Sequence, residues 1–271
     1  MGKKQRILFV NQEIEPYVVG TPMSVLGSKL PQVAQEQGYE TRIFMPKFGV
    51  ISERRNQLHD VLRLSGLNIM VAGGDHPLNI KVASLSSLRL QVYFIDNEDF
   101  FMRRGITHDP LGEPYSDNDA RALFFARGVL ETVKKLRWIP DIIHCSGWFS
   151  SFVPLLLRRN HANDPALNRA KILFSLYEDD GAEMAGENSE KTLQGLKVSE
   201  EDAQDIREST HASLCRMAMR NSDAGSYCEN NVVQEILQYA ESIGRKIYDL
   251  RVLDDINGVY DEISKMAAVV R

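Results

Sequence analysis

Cysteine is scarce, with three in 271 residues, at positions 145, 215 and 228. So small, odd and widely spaced a set is no disulfide framework, and the thiols read as reduced ones of a cytoplasmic protein. Long apolar runs are missing too. No stretch approaches the roughly 20 apolar residues of a membrane span. Met1-Gly2-Lys3-Lys4 leads straight into an apolar segment at Arg6–Val10, which leaves no room for the apolar core and cleavage site of a signal peptide. Positive charge is not in excess. The net charge of −5 gives no electrostatic case for nucleic acid or an anionic membrane surface as partner. The six histidines, at 59, 76, 108, 144, 161 and 211, form no H-E-x-x-H and no cluster with cysteine, so neither a metal site nor a cofactor is expected. A G-x-S-x-G nucleophile turn is also absent, since Gly147-Trp148-Phe149-Ser150 has the wrong order.

What is present is an alternating pattern. Short apolar runs at Ile7–Val10, Thr41–Met45, Gln91–Ile95, Asp141–Cys145 and Lys171–Leu176 read as buried parallel strands, several of them followed by helical patterns. The clearest helix is Asp117–Trp138, in which Leu123, Ala126, Leu130, Val133 and Leu136 recur at spacings of three and four and Ser116 or Asp117 can cap the start. A second runs from about Glu200 to Arg220 behind the capping sequence Ser199-Glu200-Glu201-Asp202. "LNIMVAGGDHPLNIKVASL" reads as a hairpin turning through Gly73-Gly74-Asp75-His76-Pro77; no helix follows these glycines, so they serve a turn rather than a phosphate. The pattern predicts one doubly wound α/β domain over 1–271, with a hairpin insertion and a helical C-terminal segment over about 199–271.

Chemistry is thin at the places where such folds carry it. "HCSGWFSSFVP", residues 144–154, leaves the end of a strand, where ligands usually sit, and then reads as a helix from Trp148 to Arg159. Its turn offers only Ser146 and Gly147. The first loop, "NQEIEPYVVGTPMSV", precedes a helix and so occupies a phosphate-binding position. It has one glycine, Gly20, and no lysine or arginine; Thr21 and Pro22 suit a helix start better than an anion cradle. The acidic run "EDDGAEMAGENSE" (178–190) could supply oxygen ligands to Mg²⁺. A solvated, mobile loop is the plainer reading of it.

Several ordered blocks resemble the N-terminal half of the bacterial glycogen and starch synthases, which transfer glucose from ADP-glucose to an α-1,4-glucan. "RILFVNQEIEP" resembles their first strand and its S-E-x-x-P exit, and "GYETRIFMPKFG" their G-H-D-V-R-V-x-x-P-x-Y. "VYFIDNEDFFMRRG…PYSDNDARALFFARGVLETVKKLRWIPDIIHCSGW" resembles V-Y-F-L-D-x-x-x-x-F…Y-x-D-N-x-x-R-F-x-x-F…W-x-P-D-I-I-H-C-H-D-W. "RMAMRNSDAGSYCENNVVQEI" resembles K-x-G-x-x-x-A-D-x-x-x-T-V-S, near the end of that half. The resemblance implies a mostly parallel Rossmann-like sheet, one half of a glycosyltransferase B fold, and a role in glycogen biosynthesis.

The departures fall on the chemistry. The family's K-T-G-G-L, which meets the donor's phosphates, aligns on Val19-Gly20-Thr21-Pro22-Met23, so the lysine is Val19 and Pro22 removes a backbone donor. H-C-H-D-W aligns on His144-Cys145-Ser146-Gly147-Trp148, and the histidine of T-I-H-N is Tyr177. Losing two charge-assisted contacts of ~1.5–3 kcal/mol each weakens donor binding by about two to four orders of magnitude. The family's second domain holds most of the nucleotide site, and about 200 further residues would be needed for it. The resemblance therefore implies a domain that is catalytically incompetent alone and binds glucan or a protein partner. The alternatives are a glucosyltransferase component completed by a separate donor-domain chain, and a different small-molecule function at the strand ends.

Tyr115, Asp117, Asn118 and Arg121 match Y-x-D-N-x-x-R, and Trp148 matches the family's tryptophan. Two readings stay open for them. Tyr115 and Trp148 could stack on sugar rings while Asn118 bonds hydroxyls. In the other reading Asp117 caps the helix, Arg121 pairs with an acid and Trp148 is core. In the two-domain family the strand ends face the partner domain, so the resemblance implies that Tyr17, Val18, Val19, Met23 and Phe149 are exposed there, an apolar face that the acidic loop 178–190 could fold over or that a homodimer, the favoured solution, would cover.

Overall fold

The computed structural model of the protein describes residues 4–85, 90–178, 189–232, 234–251 and 256–266. Ile7, Leu8, Phe9 and Val10 of β1 (Arg6–Asn11) are fully buried, as a strand covered on both faces requires. α1 (Pro22–Glu36) follows; Thr21 caps it by accepting from the Ser24 N–H at 3.0 Å, and Pro22 takes the first helical position, as the sequence predicts. β2 (Glu40–Pro46), the single-turn helix α2 (Glu53–Asn56) and the two-residue β3 (His59–Asp60) come next. The expected hairpin is β4 (Leu67–Val71) and β5 (Gly74–Leu85), but its turn is tighter than expected. Ala72 and Gly73 alone make it, at φ 50° and 79°, the left-handed pair of a two-residue hairpin. Gly74, Asp75, His76 and Pro77 belong to β5 and pair with β4, while the second half of β5 pairs with β6 (Leu90–Asp96).

α3 (Glu98–Phe101) leads to the long helix α4 (Asn118–Leu136). Asp117 holds the N-cap position of α4 without making a capping bond. Its carboxylate instead accepts from both terminal nitrogens of Arg103, each at 2.6 Å, because a charged fork outcompetes a backbone N–H. After β7 (Ile142–Ser146) the predicted single helix is broken into a 3₁₀ turn at Trp148–Ser150, α5 (Phe152–Leu155) and a wider π turn at Leu156–Asn160. Pro154, which has no N–H, sits in the middle of that break. β8 (Lys171–Leu176) follows; residues 179–188 of the acidic run lie outside the described residues, and α6 (Ser189–Leu193) ends the run.

The helix expected over Glu200–Arg220 is two helices, α7 (Glu200–Glu208) and α8 (His211–Arg220). Ser199 caps α7 as expected. Ser209 then turns left-handed at φ 48°, and Thr210 restarts the chain through a capping box with Ser213. The segment over about 199–271, predicted to be helical, is mixed. It carries the strands β9 (Ala224–Tyr227) and β10 (Lys246–Asp249) on either side of α9 (Gln234–Ser242), and then α10 (Ile256–Lys265). β9 has no apolar run to announce it. Its Gly225 leaves room for Met219 and Ile247, which come within 2.5 and 2.6 Å of where a Cβ would stand.

The strands form one sheet in the order β10-β9-β8-β7-β1-β2-β6-β5-β3, with β4 bonded to β5. From β10 to β6 the neighbours are parallel, and only the hairpin region is antiparallel. The order reverses between β1 and β7, since β1 leads to β2 on one side and β7 to β8 on the other. α1 and α10 pack together, and α4 packs against α5 and α6. This is the doubly wound, Rossmann-like arrangement with an inserted hairpin that the sequence predicts.

Candidate functional site

In sheets of this kind ligands enter at the carboxyl ends of the strands, where the order reverses. Here that point is the turn after β7, facing the loop after β1. Gln12 ties the two together. Its N–H donates to the Ser146 carbonyl at 3.1 Å, and its Oε1 accepts from the Phe149 N–H at 3.1 Å. Gly147 sits at φ 82° between them, and a Cβ on it would stand 2.7 Å from Gln12 Oε1 and 2.9 Å from Met23 Sδ. Ser146, Trp148 and Tyr177 are each no more than 2 % exposed. The Tyr177 hydroxyl lies near the Ser146 hydroxyl and near the Cys228 thiol, and neither hydroxyl makes a hydrogen bond of good geometry. Burial pushes the Tyr177 phenol well above its ordinary value and the Cys228 thiol up to about 12, so both stay protonated at neutral pH. The turn is packed with neutral groups.

Beneath it runs a buried polar chain that the sequence did not reveal. His144 Nε2 meets Ser175 Oγ at 2.6 Å, Ser175 Oγ meets Ser226 Oγ at 2.5 Å, and His144 Nδ1 meets the Tyr260 hydroxyl at 2.8 Å. Burial lowers the imidazole pKa to about 3, so the ring is neutral and has one donor and one acceptor nitrogen to share between its two partners. The members come from β7, β8, β9 and α10, and no sequence spacing links them.

The loop after β1 does not form the expected apolar face. Tyr17, Val18, Met23 and Phe149 are buried, and of the five residues only Val19 is open, at 69 %. The cause is local. Tyr17 and Val18 N–H groups both donate to the Ile14 carbonyl, which curls the loop back over the sheet, and the Tyr17 ring packs edge-on against Phe94 at 4.9 Å. Thr21 Oγ1 closes the loop onto Glu13 Oε2 at 2.5 Å.

Tyr115, Asp117, Asn118 and Arg121 do come together, and they form a brace. Asn118 Nδ2 donates to the Thr107 carbonyl at 2.9 Å, and its Oδ1 accepts from Arg121 Nη1 at 2.6 Å. In one of the two readings Arg121 pairs with an acid. It is fully buried, donates from Nε to the Phe100 carbonyl at 2.7 Å, and lies among the rings of Tyr115, Phe149, Phe101 and Phe48 at 5.0 to 5.9 Å. Burial, with Arg103 next, lowers its pKa to about 10, so the guanidinium stays charged and the rings act in place of a counter-ion. Asn118, Arg121 and Trp148 are therefore core. Tyr115 remains half-buried, with the Arg103 guanidinium 4.8 Å from its ring centroid. Among the described residues no group of three or more His, Cys, Asp or Glu side chains is placed to hold a metal ion, and no helix is long and apolar enough to cross a membrane.

The sequence profile of the starch synthase catalytic domain matches residues 6–247. Glycogen synthases from Chlorobium luteolum and Chlorobaculum parvum are each 38% identical over 176 residues, which is 65% of this chain and 36% of theirs. The chain thus spans about a third of the length of these curated relatives. Among solved structures, the catalytic domain of starch synthase IV from Arabidopsis thaliana, determined with ADP and acarbose, matches with a TM-score of 0.67 at 19% identity, over 83% of this chain and 45% of that one. That likeness is one of fold. With the profile running from β1 to β10, the chain belongs to the starch synthase catalytic domain family.

Proposed function

We propose that this chain is a glycogen/starch synthase-like domain of polyglucan metabolism that does not transfer glucose by itself and acts by binding glucan or a partner protein. The observation that carries this reading is the packing at the family's reactive positions. Val19 presents an alkyl group where the motif has a lysine, and Gly147 has no room for the motif's aspartate. Ser146 and Tyr177, at the two histidine positions, are buried and neutral. A site that stabilises charge in a transition state needs charged or donor groups aimed at it; the side chains at these positions carry no charge, and the two hydroxyls are buried in the packing.

For glucan, the packing of Asn118, Arg121 and Trp148 leaves the half-buried Tyr115 beside the Arg103–Asp117 pair as the candidate contact. Incorporation of labelled glucose from ADP-glucose into glycogen by the chain alone would overturn the proposal. Incorporation only on adding a separate donor-domain chain would establish the second reading, a component completed in trans. Calorimetric titration with maltooligosaccharides separates the two binding modes. A signal weakened by Tyr115→Ala supports glucan, and silence at millimolar ligand supports a protein partner.

A further inference from the structure

A groove on the helical face uses none of the strand-end residues. It lies between the inserted hairpin, α4 and the end of the π turn, and has a volume of about 380 Å³, within the range of sites for single metabolites. Arg127 of α4 lines it. The side chain is half-buried, and burial lowers the pKa of its guanidinium. One terminal nitrogen donates to the Met70 carbonyl at the hairpin tip. Arg103, Arg158, Arg216 and Arg220, whose side chains are also largely covered, each hold a carboxylate. Arg127 is half-buried and, unlike these four, holds none among the described residues; Arg121 and Arg245 lack a carboxylate as well, but neither lines this groove. An arginine fork has five N–H donors set to meet an oxyanion, and partial desolvation strengthens such a contact.

The surroundings suit an anion carrying polar groups. Glu131, one turn along α4, is engaged by Lys134 at 2.7 Å. His161 lines the opposite wall; burial first, then Lys134 and Arg127, lower its pKa against the opposing pull of Glu131 and Asp164, so it stands neutral and can donate or accept. The wall is held in place, because Asn160 Oδ1 accepts from the Lys197 N–H at 3.3 Å and its amide donates to the Gly195 carbonyl at 3.4 Å. Asn68 is exposed at the hairpin side. We propose that this groove binds a small hydroxylated metabolite bearing a phosphate or carboxylate, with the Arg127 fork on the oxyanion and His161 and Asn68 toward the hydroxyls.

The test is titration of the full chain with inorganic phosphate, glycerol 3-phosphate and citrate, followed by calorimetry and by the thermal midpoint, with chloride at matched ionic strength as reference. Saturable binding of at least one oxyanion is expected. Arg127→Gln should weaken it about tenfold or more, and Glu131→Gln should tighten it by about threefold through removal of the nearest negative charge. Preference for glycerol 3-phosphate marks the ligand as a phosphomonoester, and preference for citrate marks it as a carboxylate; either supports the site. Equal stabilisation by chloride, or unchanged affinity in a folded Arg127→Gln, overturns it. Should Arg127→Gln fail to fold, His161→Gln and Glu131→Gln decide. Affinity unchanged in both overturns the proposal equally.

Discussion

Gly147 stands at φ 82° and ψ 156°, a backbone region that in practice only glycine adopts. Gly147→Asp would restore the family's acid, but it would also push a Cβ onto Gln12 Oε1. The expected result is a loss of about 2–4 kcal/mol, read as a lower urea midpoint at unchanged slope, with no glucose transfer gained. The identities of Val19, Ser146, Gly147 and Tyr177 were legible in the sequence because motifs in register placed them. Their surroundings were not. Gln12 reaches Phe149 across 137 residues, and no local pattern announces such a bond. Arg121 followed the same rule. Four aromatic rings from different elements stand where one reading puts a carboxylate, and only tertiary packing assembles them.

α10 is held to the sheet by a polar contact inside an apolar face. Tyr260 is fully buried, and its hydroxyl meets His144 Nδ1. Tyr260→Phe leaves that nitrogen unpaired, and is expected to cost about 1–2 kcal/mol and to speed amide exchange throughout α10. The same histidine gives the fold a pH dependence. Its pKa is about 3 when folded and about 6.5 when unfolded. Below pH 6.5 the unfolded chain takes up a proton that the folded one refuses, so stability falls with falling pH, by about 1.4 kcal/mol per unit. Urea midpoints between about pH 7 and pH 5 should slope less steeply in His144→Gln, which lacks the titration. Elements differed in how plainly the sequence declared them. β1, β2, β6, β7 and β8 are apolar runs because both their faces are covered, and they were found within a residue or so. β9, Ala-Gly-Ser-Tyr, is a strand by virtue of its neighbours, which propensity does not report.

For the molecule as a whole, the strand-end surface is less apolar than the residues Tyr17, Val18, Val19, Met23 and Phe149 suggest by type. Tyr17, Val18, Met23 and Phe149 are already buried within this chain, so the reason for expecting a dimer there is removed. Light scattering over a concentration series should give the same mass for the wild type and for Val19→Lys. A change between the two would show that this one exposed side chain drives association. The arrangement of the sheet also sets a timetable. β1 is flanked by β2 and β7, and the hydrogen bond from Arg6 to Asp141 at the entry to β7 spans 135 residues. On a ribosome adding about 5–20 residues per second, β7 is made on the order of 10 s after β1. Throughout that interval Ile-Leu-Phe-Val has one edge without a partner, the condition in which strands join the wrong chain. The yield of native protein in a cell therefore depends on how fast the messenger is read between those two strands, and on whatever shields the nascent chain meanwhile.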